Sequence, residues 1–114
     1  MTNGLESILG GEAGVLAKLL DGASVRQRVH AANLANANNP AYRRREVRFE
    51  EALGKAIASG GDVDAVRPEI VATGEPVDLE TEMGRLTQNA LTYKVWAEVL
   101  SRKIGTLRIA ITGR

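Results

Sequence analysis

Residues 79–111 read LETEMGRLTQNALTYKVWAEVLSRKIGTLRIAI, and within them Leu79, Met83, Leu86, Ala90, Tyr93, Ala97, Leu100, Ile104, Leu107 and Ile111 step by four and three without a break. Residues three and four apart share one helix face. A sustained period of 3.5 therefore makes a narrow stripe that has to be buried against other helices. At 1.5 Å per residue such a helix runs for about 50 Å, which is long for a chain of 114 residues. The pattern points to a protein that works through its shape rather than through a pocket.

Local signals agree with the seam. Asp78, Glu80 and Glu82 stand at the opening of this helix and Arg102, Lys103, Arg108 and Arg114 towards its end, matching the helix dipole at both ends. Against it stand Gly84 and Gly105, each costing about 1 kcal/mol relative to alanine. The β-branched Thr87, Thr92, Val95, Val99 and Thr106 also disfavour it. Burying one Leu or Ile side chain returns about 1.5–3 kcal/mol, so packing partners, not propensity, make this helix.

Outward from it, a second and poorer seam runs through Val15, Leu19 and Gly22 and then, after a slip of three, through Val25, Val29, Ala32 and Asn36. It is expected to stop between Asn36 and Asn39. Asparagine tolerates left-handed backbone, and Pro40 disfavours helical geometry in the residue before it. The glycine-rich residues 1–14 read as a flexible or weakly helical lead-in. The expected units are thus the lead-in 1–14, an N-terminal helix over 15–39, a connecting segment over 40–77 and a C-terminal helix over 78–114, forming one structural domain. Within the connecting segment Val47 and Phe49 alternate with charge as in an extended stretch. Glu50 to Ala58 suits a short helix ended by Gly60 and Gly61, and Val66 to Ala72 reads as edge strand or loop.

Composition fits helix-on-helix packing, because one Phe, one Trp and two Tyr leave Ala, Leu and Val to fill the interior. A net charge of +1 from 15 basic and 14 acidic residues supplies no global field for nucleic acid or anionic membrane. No cysteine is present, which removes disulfides, thiolate nucleophiles and cysteine metal sites. The stretch Ala13 to Leu20 is broken by Gly14 and Lys18 and does not read as a secretory signal. No run of eighteen apolar residues spans a bilayer.

Side chains able to carry chemistry have simpler readings. His30 is the only histidine and is expected at the surface or in the seam, with no metal ligands at suitable spacing. Glu80 and Glu82 lie two apart on a helix, pointing in different directions, and are expected to complement the dipole. No phosphate loop, nucleophile elbow or catalytic dyad is visible, so no enzyme, cofactor or small-molecule substrate is expected. Arg43, Arg44, Arg45 and Arg48 beside Tyr42 and Phe49 make the best argument for nucleic acid. Glu46, Glu50 and Glu51 nearly cancel them, which favours a solvated, internally paired loop.

The run Ala32, Asn33, Leu34, Ala35, Asn36, followed by Pro40 and Tyr42, resembles the N-terminal signature of the bacterial flagellar rod and hook proteins. Asp78, Leu79, Glu80, Glu82 and Met83, then Asn89, Ala90, Leu91 and Tyr93, then Leu100, Ser101, Arg102 and Lys103, resemble the proximal rod members of that family. Asn39 and Ala41 depart from the threonine and glycine usual beside the proline, and the middle segment is short for the family. The similar stretches cover roughly residues 25–53 and 77–111.

The resemblance implies a structural subunit in the basal-body rod, in the periplasm. It would leave the cell through the flagellar type III export apparatus without a cleaved signal peptide. The implied partners are copies of the chain, the rod proteins FlgC, FlgF and FlgG, FliE, the MS ring and the export apparatus. The expected fold is all-α: an antiparallel N-/C-terminal helical hairpin, coiled-coil-like, with an irregular middle that has room for short β-structure. Asn33, Leu34, Ala35, Asn36, Pro40 and Tyr42 form its signature, and Val25, Val29 and Ala32 join the C-terminal heptad residues as the packing seam. Two different classes stay open on residues alone: a small helical nucleic-acid-binding protein, and a coiled-coil adaptor or secretion chaperone.

Overall fold

The computed structural model describes the backbone of residues 4–113 and the side chains of residues 11–113. Two long helices dominate it, α1 (Gly4–Ala35) and α3 (Leu79–Thr112). Between them come strand β1 (Arg45–Arg48), helix α2 (Glu50–Ser59), a 3-10 turn (Val63–Ala65) and strand β2 (Glu69–Ala72). The molecule measures 57 × 29 × 14 Å with a radius of gyration of 17.4 Å, against about 13 Å for a compact chain of this length.

Helix α1 starts earlier than expected. The lead-in was placed through Gly14, yet helical backbone already covers Gly4 onward; residues 1–3 lie outside the described part. Glycine propensity is a weak constraint that tertiary contacts override. Here Leu16 is buried, and Glu12 reaches Lys103 of α3 at 2.6 Å. The other end stops at Ala35 without a left-handed asparagine, since every described residue with positive φ is a glycine. Three-residue turns succeed the helix instead, with Asn39 N–H donating to Asn36 O and Tyr42 N–H to Asn39 O at 3.0 Å each. Asn36 donates its side-chain amide to Ala32 O at 2.8 Å, and Asn39 Oδ1 accepts from Ala41 N–H at 3.0 Å. Side-chain bonds to nearby backbone thus compete successfully with helix continuation.

The middle segment holds more order than an irregular loop. Strands β1 and β2 pair antiparallel, Arg45 opposite Ala72 and Val47 opposite Ile70. Helix α2 closes on left-handed Gly60, with Gly61 N–H reaching Ala56 O at 2.8 Å. Val47, Phe49 and Leu53 are buried against Val29 of α1, flanked by Leu19, Val25, Val63 and Val66. The Phe49 ring lies on Gly22, where any Cβ would collide with it. Arg26 stacks over the same ring at 5.5 Å and ties β1 and α2 to α1 by bonding Val47 O at 2.9 Å and Glu50 at 2.6 Å.

Helix α3 opens on Asp78, whose carboxylate accepts from Thr81 N–H at 3.2 Å. It packs along α1 through contacts whose residue numbers fall on α3 as they rise on α1. Lys103 meets Glu12, Asn89 meets Ala23 and Gln27, and Glu82 meets His30. No described helix is long and apolar enough to cross a membrane.

Candidate functional site

Where α1, β1 and α3 converge, Glu82 is wholly buried, with 0% of its surface exposed, as is Asn33. The Glu82 carboxylate accepts from His30 Nδ1 at 2.5 Å, Asn33 Nδ2 at 2.7 Å, Arg85 at 3.2 Å and Arg44 Nε at 3.4 Å. Asn33 uses both ends of its amide. Its Nδ2 also donates to Arg45 O at 2.8 Å, and its Oδ1 accepts from Arg45 N–H at 3.0 Å and the Tyr42 hydroxyl at 3.1 Å. One side chain thereby clamps β1 to α1 and hands α1 on to α3.

An isolated carboxylate at this depth would be prohibitively costly, and burial does push the Glu82 pKa upward. The hydrogen bonds from Asn33 and His30, with the charges of His30 and Arg44, outweigh that push and hold it below the ordinary glutamate value. Among the described residues every buried side-chain nitrogen and oxygen has a partner. At the rim, Glu46 is held low chiefly by its hydrogen bond from Arg48, at 2.7 Å.

His30 lies in the seam between α1 and α3, one of its two expected places, buried and paired with Glu82. Other sequence expectations are corrected. Glu82 anchors the hub, while Glu80 alone stays exposed at the helix start. Of the arginines, Arg43, Arg45 and Arg48 are exposed as expected, but Arg44 is buried against Glu82. Of the signature residues, Asn33 and Tyr42 meet in the hub; Leu34 and Asn36 are half-buried, and Ala35 and Pro40 are exposed at the turn.

The heptad stripe also lies differently from its sequence reading. Leu86, Ala97, Leu100 and Leu107 are half-buried, as is Val25, and Val29 is buried. Leu79, Met83, Ala90, Tyr93, Ile104, Ile111 and, on α1, Ala32 are exposed, with Met83 at 53%, Ile104 at 46% and Ile111 at 59%. The side chains bonded to α1 sit one residue earlier, at Glu82, Asn89 and Lys103. One residue is a rotation of about 100°. The seven-residue spacing was therefore present in both sets, but Glu82, Asn89 and Lys103 are polar and an apolar-only reading passed over them. Asn89 is buried and donates to Ala23 O and Gln27 Oε1, both at 2.8 Å.

The flagellar basal body rod protein FlgB of Bacillus subtilis (strain 168) is 26% identical over 129 aligned positions, covering 94% of this chain and 98% of that protein. The chain resembles a flagellar rod protein along nearly its whole length. FlgB of Borrelia hermsii is 27% identical over 122 positions, covering 82% of this chain and 90% of that protein. FlgB of Cereibacter sphaeroides is 28% identical over 123 positions, with 90% and 94% covered. The B. subtilis alignment is longer than the 114-residue chain, so FlgB there carries residues that this chain lacks. No family model matches the chain.

Proposed function

We propose that this protein is a non-enzymatic structural subunit of the proximal rod of the bacterial flagellar basal body. Its terminal helices act as an antiparallel, coiled-coil-like hairpin, latched by the Glu82 hub and by Asn89. The signature residues Asn33, Leu34, Ala35, Asn36, Pro40 and Tyr42 shape the closed end of that hairpin. The exposed seam residues of α3 meet neighbouring subunits, and a repeated contact that does not close builds a helical tube around the export channel and transmits torque.

The observation that carries this reading is the row of large apolar side chains left in solvent along α3, on a chain of which 82–94% aligns with FlgB proteins. Among the described residues the buried apolar ones are Leu16, Ala23, Val29, Val47, Phe49 and Leu53, a small core beside two helices of 32 and 34 residues. Folding is thus coupled to assembly, which suits a subunit that travels unfolded through the type III apparatus into the periplasm without a cleaved signal peptide. Its neighbours in this reading are copies of itself, FlgC, FlgF, FlgG, FliE and the MS ring.

The test is complementation of a deletion strain with Ile104→Asp. Ile104 is exposed in the single chain, so the variant is expected to be produced but absent from purified basal bodies, with motility lost. Normal motility would overturn the reading.

A further inference from the structure

On the side of the hub that faces solvent, a cleft of about 250 Å³ opens between α1 and α3, lined by Arg26, His30, Arg85, Gln88, Asn89 and Thr92. It has room for several water-sized groups at about 30 Å³ each. Its lining holds two guanidinium groups and an imidazole, and no carboxylate. The nearby acids are already engaged: Glu82 by His30, Asn33, Arg44 and Arg85, and Glu50 by Arg26. Each guanidinium keeps N–H donors beyond those bonds.

His30 is 5% exposed and gives Nδ1 to Glu82. Its other ring nitrogen has no protein partner, yet no buried side-chain nitrogen among the described residues lacks one. That nitrogen therefore reaches the cleft. Thr92 spends its hydroxyl proton on Gln88 O at 3.0 Å, and Asn89 spends its amide donors on α1. Recognition falls to Arg85, Arg26 and His30.

We propose that this cleft binds an oxyanion of the carboxylate or phosphate type, held by Arg85 and Arg26 and, when the ring carries both protons, by the outer nitrogen of His30. Planar guanidinium groups match the paired oxygens of such anions. The site belongs to the single chain and stands independently of the rod reading. The anion comes either free from solution or as an acidic side chain of a second copy.

As the sole histidine, His30 gives one imidazole NMR signal. Inorganic phosphate is titrated at constant pH and constant ionic strength against chloride, with helix content followed by circular dichroism in the same samples. Wherever the folded state is only partly populated, an ion that binds it alone also raises the helix signal. A saturable shift or gain, weakened about tenfold or more in Arg85→Gln by loss of a charge-assisted hydrogen bond, supports the free anion. A signal that ignores phosphate but moves with protein concentration in the parent, and no longer does in Gln88→Glu, supports the carboxylate of a second copy. Gln88→Glu places a carboxylate at the lip without touching the hub, and should abolish either response even if Arg85→Gln fails to fold. Insensitivity to both phosphate and concentration, or a Gln88→Glu variant that responds like the parent, overturns the proposal.

Discussion

The two sides of α3 present opposite solutions to helix packing. The side facing α1 carries Glu82 and Asn89, buried and hydrogen-bonded, while the adjoining side carries Met83, Ile104 and Ile111 in open solvent. Polar groups bond only in one alignment and apolar ones in many, so a buried polar network fixes register at some cost in stability. Within one chain, then, the hub selects a single pairing of α1 with α3. The less selective apolar stripe stays exposed in the single chain.

Removing the charge at the centre should break this contrast most severely. Glu82→Leu leaves His30 and Arg85 without their carboxylate and the buried Arg44 with only Glu46 at 3.8 Å, and about 3–5 kcal/mol should be lost, read as a lowered urea midpoint of the helix signal. A midpoint equal to the parent's would strip the hub of its role. Gly22→Ala tests the apolar side of the same junction. Its methyl group would strike the Phe49 ring, which has to move at about 1–3 kcal/mol; unchanged urea stability would contradict that packing.

Acid gives a gentler probe. The folded-state pKa of Glu82 is depressed, so its stabilisation is present above the unfolded value and is lost as pH falls through the folded one. Helix content should decline below about pH 4.5, and Glu82→Gln should remove that part of the decline. For the single chain, Ile104→Asp should matter least. At a 46% exposed position its urea midpoint should stay within about 0.5 kcal/mol of the parent while rod incorporation is lost. At low concentration, circular dichroism of the parent monomer should also show less helix than α1 and α3 together demand. A monomer already showing the full helix content of α1 and α3 would separate folding from assembly.

Much of this architecture can be read from residue patterns. Heptad spacing marks α3, Asp78 marks its start, and Val47 and Phe49 betray an extended stretch that inserts into the core. Asn33 and Tyr42 stand out through family resemblance, though nothing in their spacing says that they share a hydrogen bond. Glu82 was hidden because an acid in a first helical turn ordinarily serves the dipole. Its burial depends on His30, 52 residues away, and on Arg44, 38 residues away. Likewise the start of α1 is masked by glycines, and the described contact that answers them, Glu12 with Lys103, is distant in sequence. Such long-range pairings leave no local periodicity.

The ties between α1 and α3 are also unevenly spread. Near the loop lie His30, Asn33, Gln27 and Ala23 against Glu82 and Asn89; far from it the described polar tie is Glu12 with Lys103, a solvent-washed ion pair that contributes little. The helices consequently zip directionally. Closure begins beside the strands, where the chain separation to be bridged is shortest, and runs outward, so tension on the free ends would peel the pair apart one turn at a time before the knot at the base gives way.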